Sequence, residues 1–216
     1  MGSQERRERE REEVRTKIMD AARDLFAKEG VEAVSMRKIA DAIEYSPTAI
    51  YLHFADKDAL LEELCAHDFG ALAHSFNEAA SVKDPIERIR ALGLRFMKFG
   101  LKYPNHFRFM FMTPAKHEKG IPAAQLEKRG DPERDSYAQL LRAVSEAMAT
   151  GRFRPELKDE NLVAQTFAAA VNGVVALQIG MGSDPWIQWA SLEKRMQTML
   201  DAILRGLIRD NGRGRK

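Results

Sequence analysis

The stretch from Ser35 to Lys57, SMRKIADAIEYSPTAIYLHFADK, constrains this chain more tightly than any other. Met36, Ile39, Ala40 and Ile43 recur at steps of three and four, which predicts a short helix with one apolar face. Ser35 stands where a side-chain oxygen caps that helix. Glu44 and Tyr45 make a turn. Ser46 is a second cap, and Pro47 follows at the first helical position, where its missing N–H costs nothing. Ile50 and Phe54, four apart, return to the core, so Pro47, Thr48, Ala49, Tyr51, Leu52 and His53 are expected to face outward. Two short helices across a tight turn form a helix-turn-helix, which lays its second helix in a DNA major groove.

DNA sequence is read at base edges, while phosphates position the protein. Thr48 offers a hydroxyl to a base, and Ala49 and Leu52 offer apolar contact to thymine methyl groups. Ser35, Arg37 and Lys38, at the start of the preceding helix, are candidates for gripping the backbone. Ser46 and Pro47 open the reading helix. Tyr45 either reaches the DNA or covers the turn.

The run from Ile18 to Leu61 resembles the DNA-binding domain of the tetracycline-repressor (TetR) family of bacterial transcriptional regulators. The family's pattern stands here as Ile18, Ala21-Ala22, Leu25-Phe26, Gly30, Ser35, Ile39-Ala40, Ser46, Tyr51, His53-Phe54, Lys57 and Leu60-Leu61. The resemblance implies that Tyr51 and Lys57 contact phosphate. A helix start at Lys57 attracts the same anion. The plainer alternative makes Tyr51 packing and Lys57 a solvated charge. Glu44 stands where the family usually has Gly, and a positive φ there would cost a non-Gly residue roughly 1 kcal/mol.

The rest of the chain reads as all-α. Residues 1–13 form an Arg/Glu-rich flexible arm, expected to be a solvated, frayed helix extension rather than a DNA-reaching arm because its acids cancel its arginines. The helix-turn-helix domain is expected over 14–62, a helical regulatory and dimerisation domain over 63–208, and a basic tail over 209–216. Asp84-Pro85, Asp131-Pro132 and Asp184-Pro185 each pair a capping acid with a proline. They predict helices near 85–102, 132–150 and 185–208, with others near 104–112 and 160–180 and a polar loop from Thr113 to Gly130.

A net charge of +2 argues neither for nor against nucleic acid, and acids slightly outnumber bases over residues 1–60. Any basic surface must be local. A single cysteine, Cys65, excludes an internal disulfide and fits a reducing cytoplasm. The Arg/Glu-mixed beginning does not read as a signal peptide. Asn161 to Ser183 carries no charge and has spanning length. Its polar residues and glycines favour a helix buried on most sides by protein, with no membrane partner.

A cluster of aromatic residues and methionines offers a pocket for an apolar guest: Phe96, Phe99, Tyr103, Phe107, Met110 and Phe111. Core packing at helical spacing explains the same residues. His106, Tyr137, Asn172 and Gln178 are candidates to orient the guest. Tyr103-Pro104 to Phe111 and Ala170 to Gly173 also resemble, more weakly, a TetR subgroup with a Trp-His-Gly signature. Asn172-Gly173 stands here where His-Gly is usual, so no role of that His carries over.

Ala169, Gly173, Ala176 and Gly180 form a small-residue stripe that lets another helix come close. With Leu192, Met196, Met199, Leu200 and Ile203 of the last helix they are the expected homodimer interface. A dimer also suits DNA, with two recognition helices one turn, roughly 34–36 Å, apart. No phosphate-binding glycine loop, metal-spaced Cys/His set or catalytic group is evident, so neither enzyme activity nor a cofactor is expected. The sequence predicts a cytoplasmic homodimer that binds a palindromic double-stranded operator and releases it for a small, largely apolar effector. The alternative is a protein-interaction module of TetR shape, with Glu44 marking an impaired head.

Overall fold

A computed structural model describes residues 3–113, 127, 129–131 and 134–209 of the chain. Most of the Thr113–Gly130 loop and all but the first residue of the basic tail lie outside the described residues. The chain packs as two units. One runs to Asp68 and takes in the segment from Asn105; the other comprises Phe69–Pro104 and resumes at Glu127.

The first unit is the head. It contains α1 (Ser3–Glu29), α2 (Met36–Ala42), α3 (Pro47–Tyr51) and the first half of α4 (Lys57–Ser75). Ile18, Ala22, Phe26, Ile39, Ile50, Leu60 and Leu64 form its core. Phe109, from a π-helical turn over Arg108–Met112, joins them and stacks on Phe26 with ring centres 6.0 Å apart. Helix α1 continues through the arm as one helix, with residues 4–13 exposed.

Asp68 is fully buried in the head, and Arg23 meets it with both Nε and Nη2 at 2.8 Å. The imidazoles of His67 and His106 approach the same carboxylate at 3.1 and 3.2 Å. Burial alone would raise the carboxyl's pKa. The approach of His106, the Arg23 hydrogen bonds, the guanidinium charge and His67 outweigh burial and hold it at about 2.

The second unit holds the end of α4, a short α5 (Asn77–Ala80), α6 (Pro85–Lys102), α8 (Ser136–Ala149), α9 (Glu160–Met181) and α10 (Leu192–Leu207). A short α7 (Pro104–Phe107) straddles the division. Helices α6, α9 and α10 come close at Gly93, where a Cβ would lie 2.7 Å from Phe167 and 2.9 Å from Leu200. Only glycine fits there without a neighbour giving way. Among the described residues there is no strand, only a bridge between Phe153 and Ile208.

Asp84 starts α6 as its sequence predicts, accepting from the N–H groups of Ile86 at 2.9 Å and Glu87 at 3.1 Å. The helices expected after the other two Asp-Pro pairs begin further on, and Pro132 itself lies outside the described residues. Helix α8 begins after Asp135, whose carboxylate takes the Tyr137 and Ala138 amides. Helix α10 begins after Ser191, while Asp184 only caps a turn at Trp186. Nor is α9 buried on most sides: 28 % of its most apolar stretch is buried, although the helix is long and apolar enough to cross a membrane.

Candidate functional site

The helix-turn-helix forms as its sequence dictates. The Ser35 hydroxyl accepts from Lys38 N and that of Ser46 from Ala49 N, each at 3.2 Å, so both helices are capped at the expected residues. Between them Glu44 has φ +59°, the one non-glycine residue with positive φ among those described. The turn thus takes the left-handed geometry a glycine would accept freely, and Glu44 bears the strain.

Ile50 and Phe54 are buried beneath α3, while Tyr51 and Leu52 stand 53 % and 73 % exposed. Ser46, Pro47 and Thr48 are exposed beside them, as are Ser35 and Arg37 on α2. This surface carries hydroxyls, a phenol, an apolar tip and a guanidinium, the mixture that base edges and phosphates require.

Several expected contacts are engaged within the head instead. Lys57 donates from Nζ to the carbonyls of Val31 at 3.1 Å and Val34 at 3.2 Å, tying the α1–α2 link to the start of α4. Its first task is therefore structural, which a helix-start position alone could not reveal. Lys38 pairs with Glu29. Tyr45 packs against the head core, so it covers the turn, and Ala49 is half-buried.

His53 does not face freely outward: it is half-buried, and its Nδ1 is buried without a hydrogen-bond partner among the described residues. Burial, then the charges of Arg11 and Arg15, keep its pKa below the ordinary value. Arg15 holds this end of α3 by donating from Nη1 to the His53 carbonyl at 2.9 Å and lying over the Phe54 ring at 4.4 Å. Its Nε reaches Glu63 at 2.6 Å. Sequence reading missed Arg15, because its partners lie far along the chain.

The expected pocket residues are divided between the two units. Phe107, Met110 and Phe111 belong to the head unit, Phe107 fully buried and Met110 against the head core. His106 belongs to the same unit, on Asp68. In the other unit Phe99 is buried, its ring 5.2 Å from that of Tyr103, and Phe96 and Asn172 are half-buried. Gln178 accepts from Arg195, and the Tyr137 hydroxyl reaches Asn161 at 3.5 Å. The second unit instead has an open cleft of about 820 Å³. It is lined by His74, Asn77, Arg88, Arg134, Gln139, Arg142 and Glu146, none of them expected from the sequence. Gln139 is buried and donates to the Ala73 carbonyl at 3.0 Å, while Glu146 accepts from Arg88 at 2.6 Å and Arg142 at 3.0 Å.

The expected interface residues divide in two. Met196 and Leu200 are buried in the chain's own core, so their spacing reported packing rather than a partner. Leu192, Met199 and Ile203 are half-buried. The stripe on α9 is open: Ala169 and Gly180 are exposed, Gly173 and Ala176 half-buried, and a Cβ on Gly173 or Gly180 would meet nothing within 4 Å. Leu162, Leu177 and Met181 add apolar surface at 57 %, 49 % and 42 % exposure.

Residues 18–64 match the family described as bacterial regulatory proteins, tetR family. The HTH-type transcriptional regulator UidR of Escherichia coli (strain K12) is 32 % identical over 80 residues, which span 37 % of this chain and 38 % of UidR. The HTH-type nicotine-responsive transcriptional repressor HdnoR of Paenarthrobacter nicotinovorans is 27 % identical over 173 residues, 79 % of this chain and 86 % of HdnoR. In fold, the chain resembles the crystal structure of a TetR family transcription regulator from Marinobacter aquaeolei VT8, with a TM-score of 0.72 at 19 % identity, covering 95 % of this chain and all of that one. Residues 18–64 therefore carry the N-terminal domain of the tetR family of bacterial regulatory proteins, and the relatives named are transcriptional regulators.

Proposed function

We propose that the chain is a cytoplasmic, homodimeric transcriptional repressor that binds an inverted-repeat operator and leaves it when a small molecule occupies the C-terminal unit. The observation that carries this reading is α3, capped at Ser46 and held at its far end by Arg15, with Tyr51 and Leu52 turned to solvent. Relatives that are repressors, one of them nicotine-responsive by name, support repression and response to a small molecule. A two-fold dimer supplies two reading helices for two half-sites. The open small-residue face of α9 suits the second copy.

The effector acts only to the extent that it binds the DNA-incompetent state better than the competent one. We assign it to the cleft around Gln139 and Arg142. That lining fits a ligand with polar or anionic groups rather than the wholly apolar guest suggested by the phenylalanines and methionines.

Selection of random duplex DNA by the purified chain, with the mass of the complex determined on the enriched sequence, tests the reading. An inverted repeat bound by an even number of chains supports it. No enrichment at low salt overturns it in favour of a protein-contact role, with Glu44 as the lesion in the head. On an enriched operator, Tyr51→Ala weakens binding by roughly tenfold, the loss of one or two good contacts, without moving the unfolding midpoint.

A further inference from the structure

Helix α1 overhangs the head. Every residue from Gln4 to Glu13 is exposed, and the core begins only at half-buried Val14 and buried Ile18. An isolated helical segment of that length is marginal in water, so packing does not explain what it is for. Its charges are sorted in a way their alternation along the sequence conceals. Arg7, Arg11 and Arg15 follow one another at steps of four, and each step turns the helix by only about 40°. They form one stripe. Glu8 and Glu12 border that stripe on one edge and Glu10 on the other, Glu13 falls on the far side, and no acid lies within it. Continued into the body of α1, the same sector is the one that carries Ile18 and Ala22 into the core. The stripe is thus the inner face of the helix, prolonged past the point where the head has anything to place against it.

Arg15 shows where the stripe starts. It is bonded to the carbonyl of His53, at the end of the reading helix, and it is saturated there by Glu63. Arg11 and Arg7 come about 6 Å and 12 Å further along, at 1.5 Å per residue. Arg11 remains close enough to His53 for its charge to disfavour the imidazolium. At the other edge Arg6 pairs with Glu10 at 3.1 Å, whereas Arg7 and Arg11 are exposed and make no ion pair among the described residues.

We propose that this overhang is a second DNA contact, with Arg7 and Arg11 laid along the phosphates that flank the half-site read by α3. The inference rests on the DNA-binding reading of the head. Charge complementarity selects the partner: two unpaired guanidinium groups on a rigid rod, beginning at the end of the reading helix, match a line of phosphates. Contacts of this kind carry no sequence information, so they add affinity and salt dependence but leave the operator unchanged.

The test is the affinity of the full chain for its selected operator, and for an unrelated duplex of the same length, over about a fourfold range of salt. Wild type is compared with Arg7→Gln/Arg11→Gln, which keeps helix propensity, and with Glu8→Gln/Glu12→Gln, which removes the acids along one edge of the stripe. The arginine variant is expected to show a salt slope shallower by about 2 per head on both duplexes, at about 0.9 per phosphate lost. Its base preference and helicity stay unchanged. The glutamate variant is expected to bind more tightly. A wild-type slope in the arginine variant, on an operator that wild type binds, overturns this inference and leaves the head reading standing. Failure of wild type to bind any DNA overturns both.

Discussion

The apolar residues of α1 and those of α9 meet opposite fates. In α1, Ile18, Ala22 and Phe26 are all within the head's own core. In α9, Val163, Phe167, Val171 and Val175 go inward, while Leu162, Leu177 and Met181 stay at the surface beside glycines that approach nothing. One helix is satisfied by its own chain and the other is not. At about 25 cal/mol per Å² of apolar surface, that second face is a standing drive towards association. The comparison separates side chains that specify a fold from those the chain leaves at its surface.

The sharpest way to break the comparison is a charge on the open face. Leu177→Arg is expected to convert the proposed dimer to monomer in sedimentation and to cost about a hundredfold or more in operator affinity, since two half-sites are no longer held together. Its unfolding at low concentration should match wild type. A dimer that survives would give that face another purpose.

In the head the largest effect is expected from Asp68→Asn, which leaves Arg23 buried without its carboxylate and costs about 3–5 kcal/mol in denaturant unfolding. The pH dependence has a definite sign. The Asp68 carboxyl is held below its ordinary 3.8, at about 2, so its contribution is complete above the ordinary value and is lost as pH falls towards the depressed one. Wild type should lose this stability in that acid window, and the variant should not.

A smaller effect separates the two roles of Lys57. Lys57→Met removes two carbonyl bonds and is expected to lower stability by about 1–2 kcal/mol. An unchanged unfolding midpoint with weakened operator binding would return Lys57 to a purely phosphate-binding role. The smallest effect has the opposite sign. Glu44→Gly relieves a left-handed residue and should raise stability by about 1 kcal/mol. A fall would mean that the carboxylate has a favourable partner in the turn.

The head was the legible region because its signals are local. Ser35 and Ser46 cap within three residues of themselves, and the spacing of Ile39, Ile50 and Phe54 needs no distant partner to interpret. Glu44 was legible as a strained position for the same reason. The Asp-Pro pairs mislead where a second cap competes downstream. Asp135 lies four residues after Asp131, and Trp186, at 93 % exposure, gives the segment after Asp184 no face to bury. The cluster from Phe96 to Phe111 is divided between two units at Pro104, a division that spacing along one helix cannot encode. The polar cleft was unreadable because Gln139, Arg88 and Glu146 come from separate helices and meet only through tertiary packing.

The link between α9 and α10 holds both tryptophans of the chain. Trp186 stands 93 % exposed five residues beyond Met181, and Trp189 lies under the Arg195 guanidinium at 4.7 Å. Nature has thereby placed an optical probe beside the unsatisfied helix face. Light emitted from an indole in water shifts to shorter wavelength when protein covers it, so a second copy that reaches this link announces itself in the fluorescence of the unlabelled chain. Trp189, already sheltered, serves as the internal standard.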